Sequence, residues 1–218
     1  MSFDLLAPHY RWMEWFLAGE KLQRCRTAFL DDVPEARAIL LVGEGNGRCL
    51  LECVRRFPEA RIICVDGSAG MIRAARRRLA RHGCDPARVT FVHADLLSWQ
   101  PPENAHDLII THFFLDCFGP DQLARVIPAL ANSAKAGAHW LLADFQVAPD
   151  GVGRARSRII LALMYGFFRI VTRLPAKQLT APDPLLNQCG FMLRRRVERE
   201  WRLLRSDWWC RATSGNVG

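Results

Sequence analysis

The sequence predicts an α/β fold, in which helices cover both faces of a mostly parallel sheet. The first observation is a set of five short apolar runs, at residues 38–42, 61–65, 88–92, 107–112 and 138–145. Such unbroken runs are typical of parallel strands that are buried on both faces. The second observation is that amphipathic stretches separate the runs, as helices packed on a sheet require. With 218 residues, 50% of them hydrophobic, the chain can bury the core of one domain.

A glycine-rich turn follows the first strand. Residues 39–48 read Ile-Leu-Leu-Val-Gly-Glu-Gly-Asn-Gly-Arg, and the second strand ends in Asp66, 23 residues after Gly43. Glycines let the backbone approach a ligand closely, and the free N–H groups of the next helix point at it. An acid at the tip of the second strand can accept hydrogen bonds from both ribose hydroxyls. The spacing is not Gly-x-Gly-x-x-Gly and no Gly-Lys-Ser/Thr follows, so a nucleoside without a pyrophosphate is the expected ligand.

The later elements also have recognisable boundaries. Ser68 is expected to cap the helix after the second strand, and Gly83 to end it. A short helix is expected to follow Pro184 and to end at Gly190. Residues 191–198 and 203–210 then form a predicted terminal hairpin.

Composition narrows the class of protein. The net charge is +8 and the pI about 9.4, but the arginines are spread over several segments without a separate RNA-binding module, so a solvated basic surface is the simpler interpretation. The eight cysteines include no Cys-x-x-Cys pair and are expected to be reduced core residues. Cys49 and Cys53 lie one helical turn apart, yet no ligands complete a tetrahedral set, so no metal is expected. The absence of a leader-like N-terminus favours the cytoplasm.

The glycine-rich turn and four further segments resemble those of the class I S-adenosylmethionine-dependent methyltransferases. The four segments are Val65–Met71, Val92–Leu96, Asp107–Phe114 and Ala136–Leu142. The five motifs occur in the same order and at the same spacing as in the family, and together they cover roughly residues 36 to 146. The resemblance implies a Rossmann-like, mostly parallel seven-stranded sheet that ends in an antiparallel hairpin, and S-adenosyl-L-methionine as cofactor.

The resemblance also assigns cofactor contacts. Asp66 is expected to bind ribose, or to act only as a helix N-terminal acid beside Ser68. Asp95 is expected to accept from the adenine amino group while Leu96 donates its N–H, or Asp95 only forms a turn. Met71 packs on adenine or in the core. The expected cofactor-binding residues are Tyr10, Gly43, Glu44, Gly45, Asn46, Gly47, Asp66, Gly67, Ser68, Met71, Asp95, Leu96, Thr111 and His112.

The chain departs from the family at one position of this motif. The acid usually found two residues before the first glycine, which helps to anchor the methionine ammonium, is Leu41 here. Glu44, inside the loop, either replaces that acid or faces solvent. Residues 3–10 resemble the segment that precedes the core in quinone and small-molecule methyltransferases. There an aromatic hydroxyl folds over the methionine end of the cofactor, so Tyr10 is expected as a lid residue or, alternatively, as a packing residue.

Catalytic candidates lie at the end of the fourth strand. An imidazole has an ordinary pKa of about 6.5, so His112 is a candidate base for a phenol or enol, or it only lines the pocket. Asp116 either positions the acceptor or caps a helical turn, and Phe113 is a candidate for contact with the acceptor. The Asn/Asp-Pro-Pro-Tyr/Phe tetrapeptide of enzymes that methylate nucleobase amino groups is absent at residues 111–114. Nucleic acid is therefore not the expected acceptor.

Residues 158–173 fall where the family inserts the elements of its acceptor pocket. This segment is too short and too charged to span a bilayer. It covers a lipophilic acceptor, contacts an anionic membrane surface, or completes the core or a dimer interface. On the first interpretation, Tyr165, Phe167 and Phe168 line the acceptor pocket.

Taken together, these features predict one cytoplasmic methyltransferase domain over residues 1–218, acting as a monomer or homodimer. Its expected parts are an N-terminal helical lid (1–35), a cofactor-binding core (36–146), an acceptor-side helical insertion (147–190) and a terminal β-hairpin (191–211). The expected reaction is methyl transfer to a small or lipophilic acceptor, by O- or C-methylation of a quinone-like or phenolic compound. The alternatives are an RNA methyltransferase and a non-catalytic scaffold that binds the cofactor or a membrane surface.

Overall fold

The computed structural model describes residues 19–148, 150–151, 153–154, 157 and 179–213. The α-helices in this part of the chain are α1 (Gly19–Arg26), α2 (Arg48–Arg56), α3 (Ala69–Arg81), α4 (Pro120–Asn132) and α5 (Asp183–Gln188). The strands are β1 (Ala38–Val42), β2 (Arg61–Asp66), β3 (Val89–His93), β4 (His106–His112), β5 (Ala134–Phe145), β6 (Phe191–Arg199) and β7 (Leu204–Arg211). Short 3-10 turns span Pro86–Arg88 and Leu115–Cys117.

The strands form a single seven-stranded sheet in the order β3-β2-β1-β4-β5-β7-β6. Strands β1 to β5 are parallel to their neighbours, whereas β7 runs antiparallel between β5 and β6. The predicted fold class, with its terminal antiparallel hairpin, is thus confirmed. The strand order reverses between β1 and β4, and ligands of open α/β sheets bind outside the carboxyl ends of the strands at such a point.

The two largest clusters of buried apolar residues lie on opposite faces of the sheet. In β1, Ile39 and Leu41 belong to one cluster, while Leu40 and Val42 belong to the other. This burial on both faces explains why the strand sequences show unbroken apolar runs rather than alternation. Leu41, where the family usually has an acid, is a core residue with 1% of its surface exposed.

Two element boundaries differ from the sequence-based expectation. Strand β5 begins at Ala134, before the apolar run, because Ala134 pairs with His106 ahead of a register shift. Helix α5 begins at Asp183, with Pro184 in its first turn, where the missing proline N–H has no intrahelical partner to lose. Ser68 caps α3 as predicted, since its hydroxyl accepts from the Met71 N–H at 3.2 Å. Among the described residues, we find no helix that is both long and apolar enough to cross a bilayer.

Candidate active site

The glycine-rich loop joins the end of β1 to α2 and lies against β2. The Gly43 N–H donates to the Val65 carbonyl at 2.9 Å. Gly47 has φ of +82°, and a Cβ at this position would lie 2.7 Å from the Cα of Ala75. Glycine therefore allows both the left-handed turn and the close approach of the loop to α3. On the same loop, the Asn46 carbonyl accepts from the Arg78 guanidinium at 2.9 Å.

Asp66 ends β2 beside this loop. Its Oδ2 accepts from the Gly45 N–H at 2.9 Å and its Oδ1 from the Ser68 N–H at 2.8 Å. Two backbone donors therefore fix the orientation of the carboxylate at the carboxyl edge of the sheet. This is the placement that a ribose-binding acid requires, and the Ser68 cap of α3 is formed at the same time. The neighbouring Gly67 carbonyl lies 3.2 Å from Nε2 of His93.

Asp95 and Leu96 follow β3 at the position expected for the adenine. The exposed Asp95 side chain accepts from the Leu97 N–H at 3.0 Å, and its carbonyl accepts from the Trp99 N–H at 2.8 Å. These bonds show that Asp95 forms a turn, and the adenine contact stays a prediction. Leu96 is buried in the same core cluster as Leu40 and Val42, and Met71 is buried on α3.

Glu44 does not face solvent, because only 6% of its surface is exposed. Its Oε1 accepts from the Cys49 N–H at 2.7 Å and from the Leu50 N–H at 3.1 Å, two donors in the first turn of α2. Burial raises the pKa of Glu44 to about 7, although the Arg26 guanidinium and the two N–H donors act in the opposite direction. The loop thus holds a carboxyl group that titrates near neutral pH.

A buried arginine acts electrostatically on both Glu44 and a buried histidine, His112. Arg26, the last residue of α1, is 4% exposed, and its guanidinium lies 5.1 Å from the centre of the Phe113 ring. His112 ends β4, and its buried Nδ1 has no hydrogen-bond partner in the part of the chain that the structure describes. Burial, with a smaller contribution from Arg26, lowers the pKa of His112 to about 3. The imidazole is therefore neutral at physiological pH and a weak base.

The residues around His112 form an aromatic surface beside the loop. The Thr111 hydroxyl points into the core, where it accepts from the Trp140 indole N–H at 2.8 Å. Phe113 has φ of +53°, a left-handed conformation that is strained for a bulky residue. The Phe114 ring covers Gly43, where a Cβ would lie 2.1 Å from Cδ2 of that ring. The segment that follows β4 is thereby seated on the glycine-rich loop.

Asp116 and Asp144 form a buried carboxyl pair at the ends of β4 and β5. Asp116 is 8% exposed and Asp144 3% exposed, and their side chains are hydrogen-bonded to each other. The Cys117 thiol donates to Oδ1 of Asp116 at 3.5 Å. Burial raises the pKa of Asp116 to about 6 and that of Asp144 well above the ordinary range.

The sequence pointed to Asp116 as a candidate site residue, but it did not point to Arg26 or Asp144. Asp144 carries the same signal as Asp66, an acid at the end of a buried apolar strand. Arg26 carries no comparable signal, because it is one of two basic residues in the last turn of α1. The predicted residues Tyr10, Tyr165, Phe167 and Phe168 lie outside the described residues.

Comparisons with known proteins match this core. Residues 39–137 match the family described as a methyltransferase domain. Over 132 residues, 60% of this chain and 48% of the relative, the chain is 36% identical to a trans-aconitate 2-methyltransferase from an Azoarcus species. Over 95 residues, 43% of this chain and 25% of the relative, it is 30% identical to ribosomal RNA large subunit methyltransferase G of Shewanella amazonensis. An O-methyltransferase family protein from Burkholderia thailandensis superimposes with a TM-score of 0.72 at 18% identity, over 95% of this chain and 60% of that one.

The matched methyltransferase domain, the relatives and the shared fold support the resemblance to the class I S-adenosylmethionine-dependent methyltransferases that the motifs predict. The chain spans about half or less of the length of these curated relatives. The matched region contains the glycine-rich loop, Asp66 and His112. The site fits S-adenosyl-L-methionine, because a fixed carboxylate ends β2, while a buried carboxyl group, a buried guanidinium and an unpartnered His112 nitrogen lie beside the loop.

Proposed function

We propose that the chain transfers the methyl group of S-adenosylmethionine to a small or lipophilic acceptor, first of all to the oxygen of a phenolic or quinol-like compound. The observation that carries this proposal is the buried Asp116 carboxyl group in the segment seated on the glycine-rich loop. An acidic hydroxyl must lose its proton as it is methylated, and a buried carboxylate with a pKa of about 6 suits that task near neutral pH. C-methylation of such a ring would use the same group.

The cofactor supplies a methyl group on a sulfonium, so the protein has to align the nucleophile at about 3 Å and exclude water. We assign Asp66 to the ribose hydroxyls and Glu44 to the methionine ammonium, in place of the acid that is missing at Leu41. His112, with its lowered pKa, lines the pocket rather than acting as the base. Cofactor binding and acceptor chemistry thus use different carboxyl groups.

The aromatic surface supports a ring-containing acceptor. Phe113 and Phe114 are half-buried, and Phe114 meets Phe118 edge to face at 5.0 Å between ring centres. Planar aromatic ligands pack well against such rings. Peripheral membrane contact through residues 158–173 stays a prediction, because that segment lies outside the described residues.

The test is an acceptor screen with the purified chain, S-adenosylmethionine, and a panel of phenols, hydroquinones and quinones. S-adenosylhomocysteine formation is measured and methylated products are identified by mass spectrometry. We expect methylation of phenols or hydroquinones, a loss of about 100-fold or more in turnover for Asp116→Asn, and unchanged S-adenosylhomocysteine binding in that variant. A wild-type chain that binds S-adenosylhomocysteine but methylates nothing in the panel would overturn this acceptor class and favour the scaffold alternative.

A carboxylate acceptor is the second candidate, and Arg26 is the observation that favours it. A buried guanidinium beside Phe113 is suited to a carboxylate, and several relatives are trans-aconitate 2-methyltransferases. A carboxylate is already deprotonated, so its methylation needs no base. Trans-aconitate turnover that Arg26→Gln abolishes and Asp116→Asn leaves intact would establish this candidate. Tight, salt-dependent RNA binding would instead support the RNA alternative.

A further inference from the structure

Building on the proposed function, we propose that Asp116 and Asp144 act as one proton-accepting pair. Asp144 holds a proton and donates it in a hydrogen bond to Asp116, which takes the proton of the acceptor. In this pair Asp116 is the catalytic residue and Asp144 the positioning residue.

The geometry of the strand ends brings the two groups together. Asp116 lies in the 3-10 turn that follows β4, and Asp144 is the penultimate residue of β5, the parallel neighbour of β4. Between β4 and this turn, the Phe113 N–H donates to the Ala143 carbonyl at 2.6 Å, which holds the chain before Asp116 against the residue next to Asp144. Oδ1 of Asp144 is fully buried and has no hydrogen-bond partner among the described residues. A protonated Asp144 donates its hydrogen bond to Asp116 through one oxygen. The other oxygen, Oδ1, can accept a hydrogen bond from a donor that enters the site.

The charges around the pair explain why it retains a proton. Arg205 is the cross-strand partner of Asp144, but its Nη1 lies 2.8 Å from Asp183 and its Nε 3.6 Å from Asp207. Arg196 binds the same two acids, at 2.5 Å and 2.6 Å. These two guanidinium groups and two carboxylates neutralise one another. Two further ionised carboxylates buried beside this network would repel each other, so one of them keeps its proton.

The electrostatics of the pair agree with this assignment. Burial and the negative charge of Asp116 raise the pKa of Asp144 well above its ordinary range, although Arg205 acts in the opposite direction. Burial also raises the pKa of Asp116, while the bonds from Asp144, Cys117 and backbone N–H groups act in the opposite direction. Asp116 is therefore ionised at neutral pH but more basic than an exposed carboxylate. The arrangement resembles other carboxyl pairs in which one proton is shared.

The proposed step is balanced in atoms and charge. The O–H bond of the acceptor breaks, and its proton moves to the Asp116 carboxylate. The oxygen electron pair forms the new C–O bond with the sulfonium methyl, and the electrons of the broken C–S bond stay on sulfur, which leaves as a neutral thioether. Asp116 then releases the proton to water, and Asp144 keeps its own proton throughout.

Infrared spectroscopy tests the shared proton without any acceptor. At about pH 8 Glu44 is mostly ionised, so the carbonyl stretch of a protonated carboxylic acid should come from Asp144. We expect this band in the wild-type protein and in the control Asp121→Asn, an exposed acid in the first turn of α4, and its loss in Asp144→Asn. Absence of the band in the wild type, or its persistence in Asp144→Asn, would overturn the pair.

Kinetics with the phenolic acceptor separate positioning from simple structural damage. The wild-type turnover should fall below about pH 6 as Asp116 is protonated. Asp144→Leu removes the hydrogen-bond donor and should raise the pH at which turnover falls, the acidic limb of the profile, by about one pH unit. Asp144→Asn keeps a donor and should return the acidic limb to its wild-type position. Lower turnover with an unmoved limb in Asp144→Leu would overturn the positioning role. If the wild-type protein methylated no hydroxyl acceptor, both the proposed function and the proposed proton transfer would be refuted. Normal turnover without the infrared band would refute only the shared proton of Asp116 and Asp144.

Discussion

Replacing Glu44 with glutamine should weaken S-adenosylhomocysteine binding and remove most of its pH dependence. In the free protein Glu44 has a pKa of about 7, raised from its ordinary value of 4.5 by burial. A bound methionine ammonium favours the ionised carboxylate, so binding below this pKa requires the loss of a proton. About 3% of Glu44 is ionised at about pH 5.5 and about three quarters at about pH 7.5. Wild-type affinity should therefore rise about 25-fold, or about 2 kcal/mol, across this range.

Glutamine keeps an oxygen for the N–H groups of Cys49 and Leu50 but carries no charge. We therefore expect Glu44→Gln to bind S-adenosylhomocysteine about 10- to 150-fold more weakly at about pH 7.5, a loss of about 1.5 to 3 kcal/mol. Its affinity should be nearly flat from about pH 5.5 to 7.5. The assay is calorimetric titration at several pH values. Glu52→Gln, on the solvent side of α2, is the matched control and should keep the wild-type slope.

The same substitution should have the opposite effect on the stability of the free protein. Because the pKa of Glu44 is raised in the folded state, its contribution is favourable below about pH 4.5 and is lost as the pH rises through about 7. The difference corresponds to about 3 kcal/mol, so Glu44→Gln should be more stable than the wild type at about pH 8 by up to that amount. If Glu44→Gln retained both the wild-type affinity and the wild-type slope, Glu44 would not be the ammonium partner.

Three further substitutions probe the site. Asp66→Ala should weaken S-adenosylhomocysteine binding by about 1 to 3 kcal/mol in calorimetry, because charge-assisted hydrogen bonds to ribose are lost; unchanged affinity would refute the ribose role. Gly47→Ala should lower the free energy of unfolding, measured in urea, by about 2 to 4 kcal/mol, because the new Cβ would meet the Ala75 backbone. The control Gly83→Ala, at a position with open space, should lower it by about 1 kcal/mol. Equal losses in the two variants would contradict the packing argument. Burial lowers the pKa of His112 to about 3. As the pH falls below about 6.5, the free energy of unfolding of the wild type should therefore drop by about 1.4 kcal/mol per pH unit relative to that of His112→Asn. If the two proteins showed the same pH dependence of unfolding, His112 would not be held neutral.

Much of the fold was predictable because local patterns and tertiary structure agree. The apolar runs correspond to strands buried on both faces, and Ser68 and Gly83 act at the two ends of α3 as their chemistry suggests. The start of β5 at Ala134 was not predictable, since its first residues are held by the register with β4 rather than by hydrophobicity.

The site was predictable only where a residue type and a strand end coincide. Asp66 could be singled out in this way, and Asp144 lies one residue before the end of β5 in a similar pattern, although no motif drew attention to it. The placement of Glu44 could not be derived, because burial of its carboxyl group depends on the backbone of α2 and on Arg26, which lies on another helix. The basicity of His112 could not be derived either, because an ordinary imidazole pKa ignores burial and the nearby guanidinium.

Calorimetric titration of the wild-type protein with S-adenosylhomocysteine, beside NADH, tests the central claim most directly, since every acceptor argument presupposes the nucleoside site at the glycine-rich loop and Asp66. We predict saturable binding of one S-adenosylhomocysteine per chain and no response to NADH. Binding of NADH in its place, or no binding of S-adenosylhomocysteine at about pH 7.5, where Glu44 is mostly ionised, would contradict the account.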